Sequence, residues 1–229
     1  MLCGLGAASA LGMTLPALPA DAAQGGAGDL LFTVLRFGDP VGHDVVSFTP
    51  RDDGLHVAVE MEAKVKFGFL TLFHYHHQSS ELWREGRLVA LDSSTYDNGK
   101  RYNVTVRPGE GGLVIDGPKG RFQVPPDTLP TSYWHPDTIR QSRLIDAGKG
   151  RVFDIVVAPG EIETVEAAGR TVQARRYGVT GNLTMSLWYT EDGHWVRTAF
   201  NMKGSDIELQ LKGEPRYALS KLMVAADAS

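Results

Sequence analysis

Along most of this chain, apolar and polar residues alternate with a period of two. Leu55, Val57, Val59, Met61, Ala63, Val65 and Phe67 interleave with His56, Ala58, Glu60, Glu62, Lys64 and Lys66. Successive side chains of a strand point to opposite faces, so this run reads as one long half-buried strand with a charged face. The pattern returns at Leu183, Met185, Leu187 and Tyr189, and again at Ile207, Leu209 and Leu211 against Glu208, Gln210 and Lys212. Turn chemistry separates the runs about every dozen residues. Asp53-Gly54, Glu85-Gly86, Asn98-Gly99, Gly109 to Gly112, Asp116-Gly117, Gly160, Gly169, Asp192-Gly193 and Gly204 supply it. The expected architecture is mainly β, a long antiparallel meander of about eleven strands curled into an open barrel or half-barrel with one short helix. That helix is expected within Tyr133 to Ser142, starting near Asp137 or Thr138, after the stiff Pro125-Pro126 and Leu129-Pro130 stretches. Gly68 marks a bend or a tight turn.

The first residues break the pattern. From Met1 to Ala23 the only charge is Asp21, and an Ala/Gly/Leu-rich run ends in Pro16, Pro19 and Ala20-Asp21-Ala22-Ala23. Residues 1–23 therefore read as a secretory leader, 24–29 as a flexible linker, and 30–229 as a single β domain. A loosely ordered N-terminus is the other reading. The leader lacks a basic stretch ahead of its apolar run, which points to a start upstream of Met1 or a chain that begins within the leader. A membrane span is disfavoured, because glycines and prolines interrupt a run shorter than the roughly 20 apolar residues required. The mature protein is expected in the periplasm or outside the cell. Cys3 is the one cysteine of the chain, so a mature form would hold no disulfide or thiolate site. Lipidation of Cys3 would need residues before Met1.

With 229 residues and 42% hydrophobic side chains, the chain can bury a sizeable core. A formal charge of -4, spread along the sequence, leaves no basic stripe for a phosphate backbone, so nucleic acid is not an expected partner.

The chemistry is sparse. In Phe73-His74-Tyr75-His76-His77, strand geometry puts His74 and His76 on one face and Tyr75 and His77 on the other. The pair His74 and His76 can share a metal ion if a third ligand arrives from His43, His56, His135, His194, Glu60 or Glu62. Alternatively these are strand residues hydrogen-bonded to neighbours. There is no Gly-x-Ser-x-Gly elbow, His-Glu-x-x-His, phosphate loop or dinucleotide fingerprint. No cofactor other than such a metal is expected, and no catalytic residue is assigned. Aromatic residues concentrate in the long strand, the helix segment and the last hairpin, where a half-barrel places its cavity or mouth. Met61, Phe67, Phe69, Phe73, Tyr133, Trp134 and Trp188 are the expected contacts for an apolar ligand, with core packing as the competing role. An open half-barrel has an interior that no second sheet fills, so bulky side chains and the helix, or an apolar ligand, must occupy it.

Several stretches together carry a resemblance. Phe32-Thr33-Val34 with Val41-Gly42-His43, the Leu82 to Val89 hairpin, Pro130 to Pro136 and the Leu187 to Arg197 hairpin resemble an uncharacterised family of exported bacterial proteins with a domain-of-unknown-function label. The layout is also similar to lipoprotein-localisation-factor-like half-barrels, which cradle acyl chains in the periplasm. The alternating long strands, the leader and the missing catalytic motif point to an exported, non-catalytic binder or carrier of a lipid or other apolar small molecule in a half-barrel cavity, with the Tyr133 to Ser142 segment as a movable lid. A metal-binding protein or metalloenzyme centred on His74 and His76, and a structural or assembly factor of the envelope, are the alternatives.

Overall fold

The structure, a computed structural model, describes residues 29–67 and 69–213. The expected leader, Cys3, most of the linker, Gly68 and the C-terminal stretch from residue 214 lie outside the described residues.

The strands follow the alternation. They are β1 (Leu30–Arg36), β2 (Asp39–Arg51), β3 (Gly54–Phe67), β4 (Leu70–Arg84), β5 (Arg87–Asp97), β6 (Lys100–Gly109), β7 (Gly112–Gly117) and β8 (Gly120–Val124) in the first half. After them come β9 (Leu129–Pro130), β10 (Arg143–Ile145), β11 (Val152–Ala167), β12 (Arg170–Gly181), β13 (Met185–Tyr189), β14 (Trp195–Met202) and β15 (Ser205–Leu211). All belong to one sheet of 15 strands in the order β8-β7-β6-β5-β4-β3-β2-β1-β15-β14-β13-β12-β11-β10-β9. Every pairing is antiparallel except β9 with β10. The sheet is open, as the alternation predicts. Strands exceed the expected number because β7 to β10 are short and carry weak periodicity. Gly160, expected as a turn, instead lies inside β11, at the register shift between Pro159 and Ile162.

Turn chemistry sets the hairpins. Both residues of Phe37-Gly38, Glu85-Gly86, Asn98-Gly99, Ala168-Gly169 and Lys203-Gly204 have positive φ. That is the signature of the two-residue type I′ turn, whose twist matches that of the flanking strands. Asn98 at φ 45° suits this conformation, whereas Phe37 at φ 52° is an aromatic residue where Asn or Gly is favoured.

The register fixes which face turns inward. Phe32 lies opposite Asp44, Asp44 opposite Met61, Met61 opposite His77 and His77 opposite Thr95, so this row runs across the inner face of β1 to β5. Beside it run a row through Val46, Val59, Ser79 and Ser93 and, one further on, a row through Phe48, Val57, Glu81 and Leu91. Right-handed twist rolls the sheet around this face. Its final strands then pack inside the roll. Leu129, Leu144, Ile145 and Ala147 are all buried, and Ser93 on β5 donates a hydrogen bond to the Ala147 carbonyl at 2.5 Å. The overlap is close. A Cβ on Gly150 would stand 3.3 Å from the Gly117 Cα and 3.3 Å from a Val104 methyl.

Bulky side chains and the helix-bearing segment take the inside of the roll, one of the two fillings that an open half-barrel allows. Trp83, Trp134, Trp195 and Phe32 are each under 2% exposed. Phe32 and Trp195 pack with centroids 4.0 Å apart, and Trp83 meets Trp134 edge-on at 4.9 Å. The expected helix is a single 3₁₀ turn, Pro136–Arg140, capped by His135, whose ring nitrogen accepts from the Asp137 N–H. Pro136 presets its start, and Gln141, already extended, ends it. Outside the roll, the bulged β11–β12 hairpin bends back over the sheet. Its turn reaches β15, where the Ala168 N–H donates to the Leu211 carbonyl at 2.8 Å.

Gly42 lets β2 and β3 approach, because a Cβ there would collide with the Glu62 carbonyl oxygen. Gly42→Ala is expected to lower stability by about 3 kcal/mol, measured as a reduced midpoint in urea with an unchanged slope.

Candidate functional site

Two places in the fold hold groups with chemical capacity: the inner polar row and one rim of the roll.

The inner row contains ionisable residues withdrawn from water. Asp44 is 6% exposed, and burial pushes its carboxyl up to about 7. Its Oδ1 has no hydrogen-bond partner. His77 is 8% exposed, burial lowers its imidazole to about 4, and its Nδ1 lies 2.7 Å from the Thr95 hydroxyl. Nearby, Asp146 accepts from the Gly148 and Lys149 amides and from Arg151 at 2.7 Å. Glu81, 1% exposed, sits one end further along. Its Oε2 accepts from Trp83 Nε1 at 2.8 Å and from Trp134 Nε1 at 3.2 Å, and burial pushes its carboxyl up to about 7. The Glu81 carboxyl thus ties the inner segment to β4 through two indoles. At these exposures a molecule outside the roll does not reach the row, so the geometry assigns these groups to internal cohesion.

The histidines of the expected metal pair point the other way. His74 and His76 lie on the outer face of β4, beside two carboxylates of β3. His74 Nε2 is 3.2 Å from Glu62 Oε1, and His76 Nε2 is 3.3 Å from Glu60 Oε1. Lys64 also pairs with Glu62, at 2.5 Å. Among the described residues, no group of three or more His, Cys, Asp or Glu is placed to hold a metal ion.

The residues expected to contact an apolar ligand are dispersed. Trp134 is core, packed on Trp83 and Phe48. Tyr133 sits against Trp195 at 5.8 Å, and its carbonyl accepts from the Tyr189 hydroxyl at 2.6 Å. Trp188 is buried on the outer side of β13, between Arg176 and Arg197, and donates to Glu163 Oε2 at 2.8 Å. Met61 and Phe73 are half-buried on the inner face of the β3–β4 pair. Phe69 is 96% exposed at the far end of that pair. Phe67 closes β3, and its side chain lies outside what the structure describes.

The second place is a rim. An open groove of about 580 Å³ is lined by Phe37, Gly38, Ala199, Phe200, Ile207 and the carboxylates Asp206 and Glu208. It lies between the β1–β2 turn and the β14–β15 hairpin, and its size is that of ordinary small-molecule sites. Glu208 is held by Arg197 at 2.7 Å and Asp206 accepts from Asn201 at 2.8 Å, so the lining is mixed, with Phe37, Ala199, Phe200 and Ile207 beside two engaged carboxylates. Sequence reasoning missed this groove. Phe37 was its one legible signal, a large aromatic beside a turn glycine.

A single curled sheet with its inner face filled by its own side chains defines a barrel-like β protein. A solved structure of the same class is similar to it: a beta-barrel-like protein of the domain of unknown function DUF1849 from Brucella abortus. The match has 12% identity and a TM-score of 0.57, and covers 81% of this chain and 95% of that one. The chain belongs to the family described as domain of unknown function DUF6134, which matches residues 32–212. Among curated proteins, none matches it.

Glu81 makes stability depend on pH. Its folded-state value of about 7 lies above the ordinary carboxylate value, so the fold favours the protonated form. The contribution is intact below about pH 4 and is lost as pH rises toward 7, at a cost on the order of 3 kcal/mol. Glu81→Gln keeps an acceptor for the indoles and removes the ionisation. Its melting temperature relative to the parent chain is expected to be higher at pH 8 than at pH 5, as read by circular dichroism.

Proposed function

We propose that this protein is an exported, non-catalytic binding protein for a lipid or another apolar small molecule, and that the cargo's apolar part lies in the rim groove. The observation that carries this reading is the groove itself, a concavity of about 580 Å³ lined by Phe37, Ala199, Phe200 and Ile207 beside Asp206 and Glu208. Removing such apolar surface from water is worth about 25 cal/mol per Å², so an acyl chain or a comparable ligand gains by lying there. The barrel-like fold shared with the DUF1849 protein supports the reading at the level of architecture alone. The site differs from an enclosed hollow in one respect that matters for a carrier. Cargo enters and leaves sideways at the rim, without opening the packed interior.

The export assignment rests on the Met1 to Ala23 composition. Among the described residues no helix is long and apolar enough to cross a membrane.

Ala199→Trp places an indole in the groove. The parent chain is expected to yield bound lipid on solvent extraction and mass spectrometry, and to enhance the fluorescence of N-phenylnaphthylamine. In the variant both signals should fall at least about tenfold, with melting temperature within a few degrees of the parent. An extract free of lipid together with an unchanged probe signal in the variant would remove the groove as the binding site.

A further inference from the structure

The meander sends its hairpin turns alternately to two ends of the sheet, and the two ends differ in chemistry. At one end the turns between strands carry Asp52 and Asp53, Glu85, Glu110, and Glu191 with Asp192. At the other end the described turn residues of β1–β2, β3–β4, β5–β6, β7–β8 and β14–β15 include no acid and supply Lys119 and Lys203.

That second end also displays apolar side chains to solvent. Phe37 is 57% exposed, Phe69 96%, Leu70 53%, Leu72 59% and Met202 40%. The β3–β4 hairpin projects furthest. Pairing of β4 with β5 begins at Tyr75, with one further bond from the Asn98 amide to the His74 carbonyl, and pairing of β2 with β3 ends at Ala63, so beyond these residues the ladder joins the two strands to each other alone. Phe69 rides at its tip with the exposed Lys66 beside it.

Phe37 adds an independent sign. It holds the left-handed position of a type I′ turn, φ 52°, where Asn would be comfortable, and it spends that position on an exposed ring. Glu85, Ala168 and Lys203 hold the same turn position elsewhere, and at Phe37 it is an exposed ring that takes it, which stability alone does not favour.

We propose that this rim docks on an anionic lipid surface, with Phe37, Phe69, Leu72 and Met202 entering the interface and Lys66 and Lys203 meeting the headgroups. Apolar tips beside the exposed Lys66 and Lys203 suit such a surface, with Asp39 and Asp206 set one and two residues back from the turn glycines Gly38 and Gly204. The backbone at the hairpin tips is already paired across the strands, which suits it to a water-poor interface. The docking goes beyond cargo binding and does not require the groove to be filled, although it would set the groove's mouth at the bilayer.

Co-sedimentation of the full chain with phosphatidylcholine vesicles, with and without phosphatidylglycerol, tests this. The N-terminal apolar segment is common to all variants, so differences between them report the rim. Binding should need phosphatidylglycerol and weaken in high salt. Phe69→Ser and the pair Lys66→Glu with Lys203→Glu should each lower it about tenfold or more. Arg51→Glu with Arg87→Glu makes the same change in net charge at the opposite end and should leave binding unchanged. Phe37→Asn should weaken binding while raising the melting temperature, which excludes misfolding as the cause.

Equal binding by all variants, absence of binding to phosphatidylglycerol vesicles, or equal loss from the Arg51 and Arg87 pair would overturn the proposal. So would a concentration-dependent dimer abolished by Phe69→Ser, which would assign the rim to self-association. Ala199→Trp separates the two readings. If it loses the fluorescent probe yet still sediments with vesicles, docking stands by itself. If the parent chain takes up the probe but ignores vesicles, only docking fails.

Discussion

A single sheet with one apolar face and no second layer has to bury that face against itself. Here the solution is to roll. The twist that accumulates over long antiparallel strands carries the last strands, β9 and β10, inside the first, against β5 and β6. Glycines make the overlap possible at Gly117 and Gly150, where side chains would hold the layers apart. Tryptophans fill the space that the roll leaves. Because the interior is consumed in this way, the groove lies at the margin of the sheet.

The inner polar row fits the same constraint. Asp44, His77 and Glu81 occupy inward positions of β2 and β4, and each is driven toward its neutral form by burial. Their titrations oppose one another. Asp44 and Glu81 lose stabilising protons as pH rises toward 7, while His77 gains a destabilising charge as pH falls toward 4. Between those values, the two carboxyls outweigh the one imidazole, and the fold is better served by the acid side. Glu81 also serves as a fastener, because its carboxyl satisfies the N–H groups of Trp83 and Trp134, which would otherwise be stranded in the core.

The proposed function rests on the ends of the strands. The groove and the exposed apolar tips share one rim, and Phe37 belongs to both. A binding protein that receives an apolar cargo from a membrane, or returns one to it, has to bring its site to the bilayer without exposing that cargo to water. On the proposed docking, a mouth set among the rim residues would achieve this by position, with no moving part. The outer face of β3 and β4 is different in kind. There the imidazoles of His74 and His76 lie within 3.3 Å of the Glu62 and Glu60 carboxylates, an arrangement of cross-strand polar pairs.

The alternation from Leu55 to Phe67 and the Gly-containing turns determined, without coordinates, that the chain is an antiparallel β meander and which residues share a face. They placed His74 with His76 and Tyr75 with His77 on opposite sides of β4, as found. These are local properties, set by the period of two and by which residues tolerate positive φ. Which face turns inward depends on the roll. His77 became the buried imidazole and His74 a surface one because the register of β3 and β4 joins Met61 to His77 and Lys64 to His74. The dispersal of Trp134, Trp188 and Phe69 to core, outer face and tip has the same origin, since all three are aromatic and read alike in sequence. Only the tertiary structure decided these things. Inward and outward are relations between strands far apart in the chain, and so is the gathering of separate turns at a common rim.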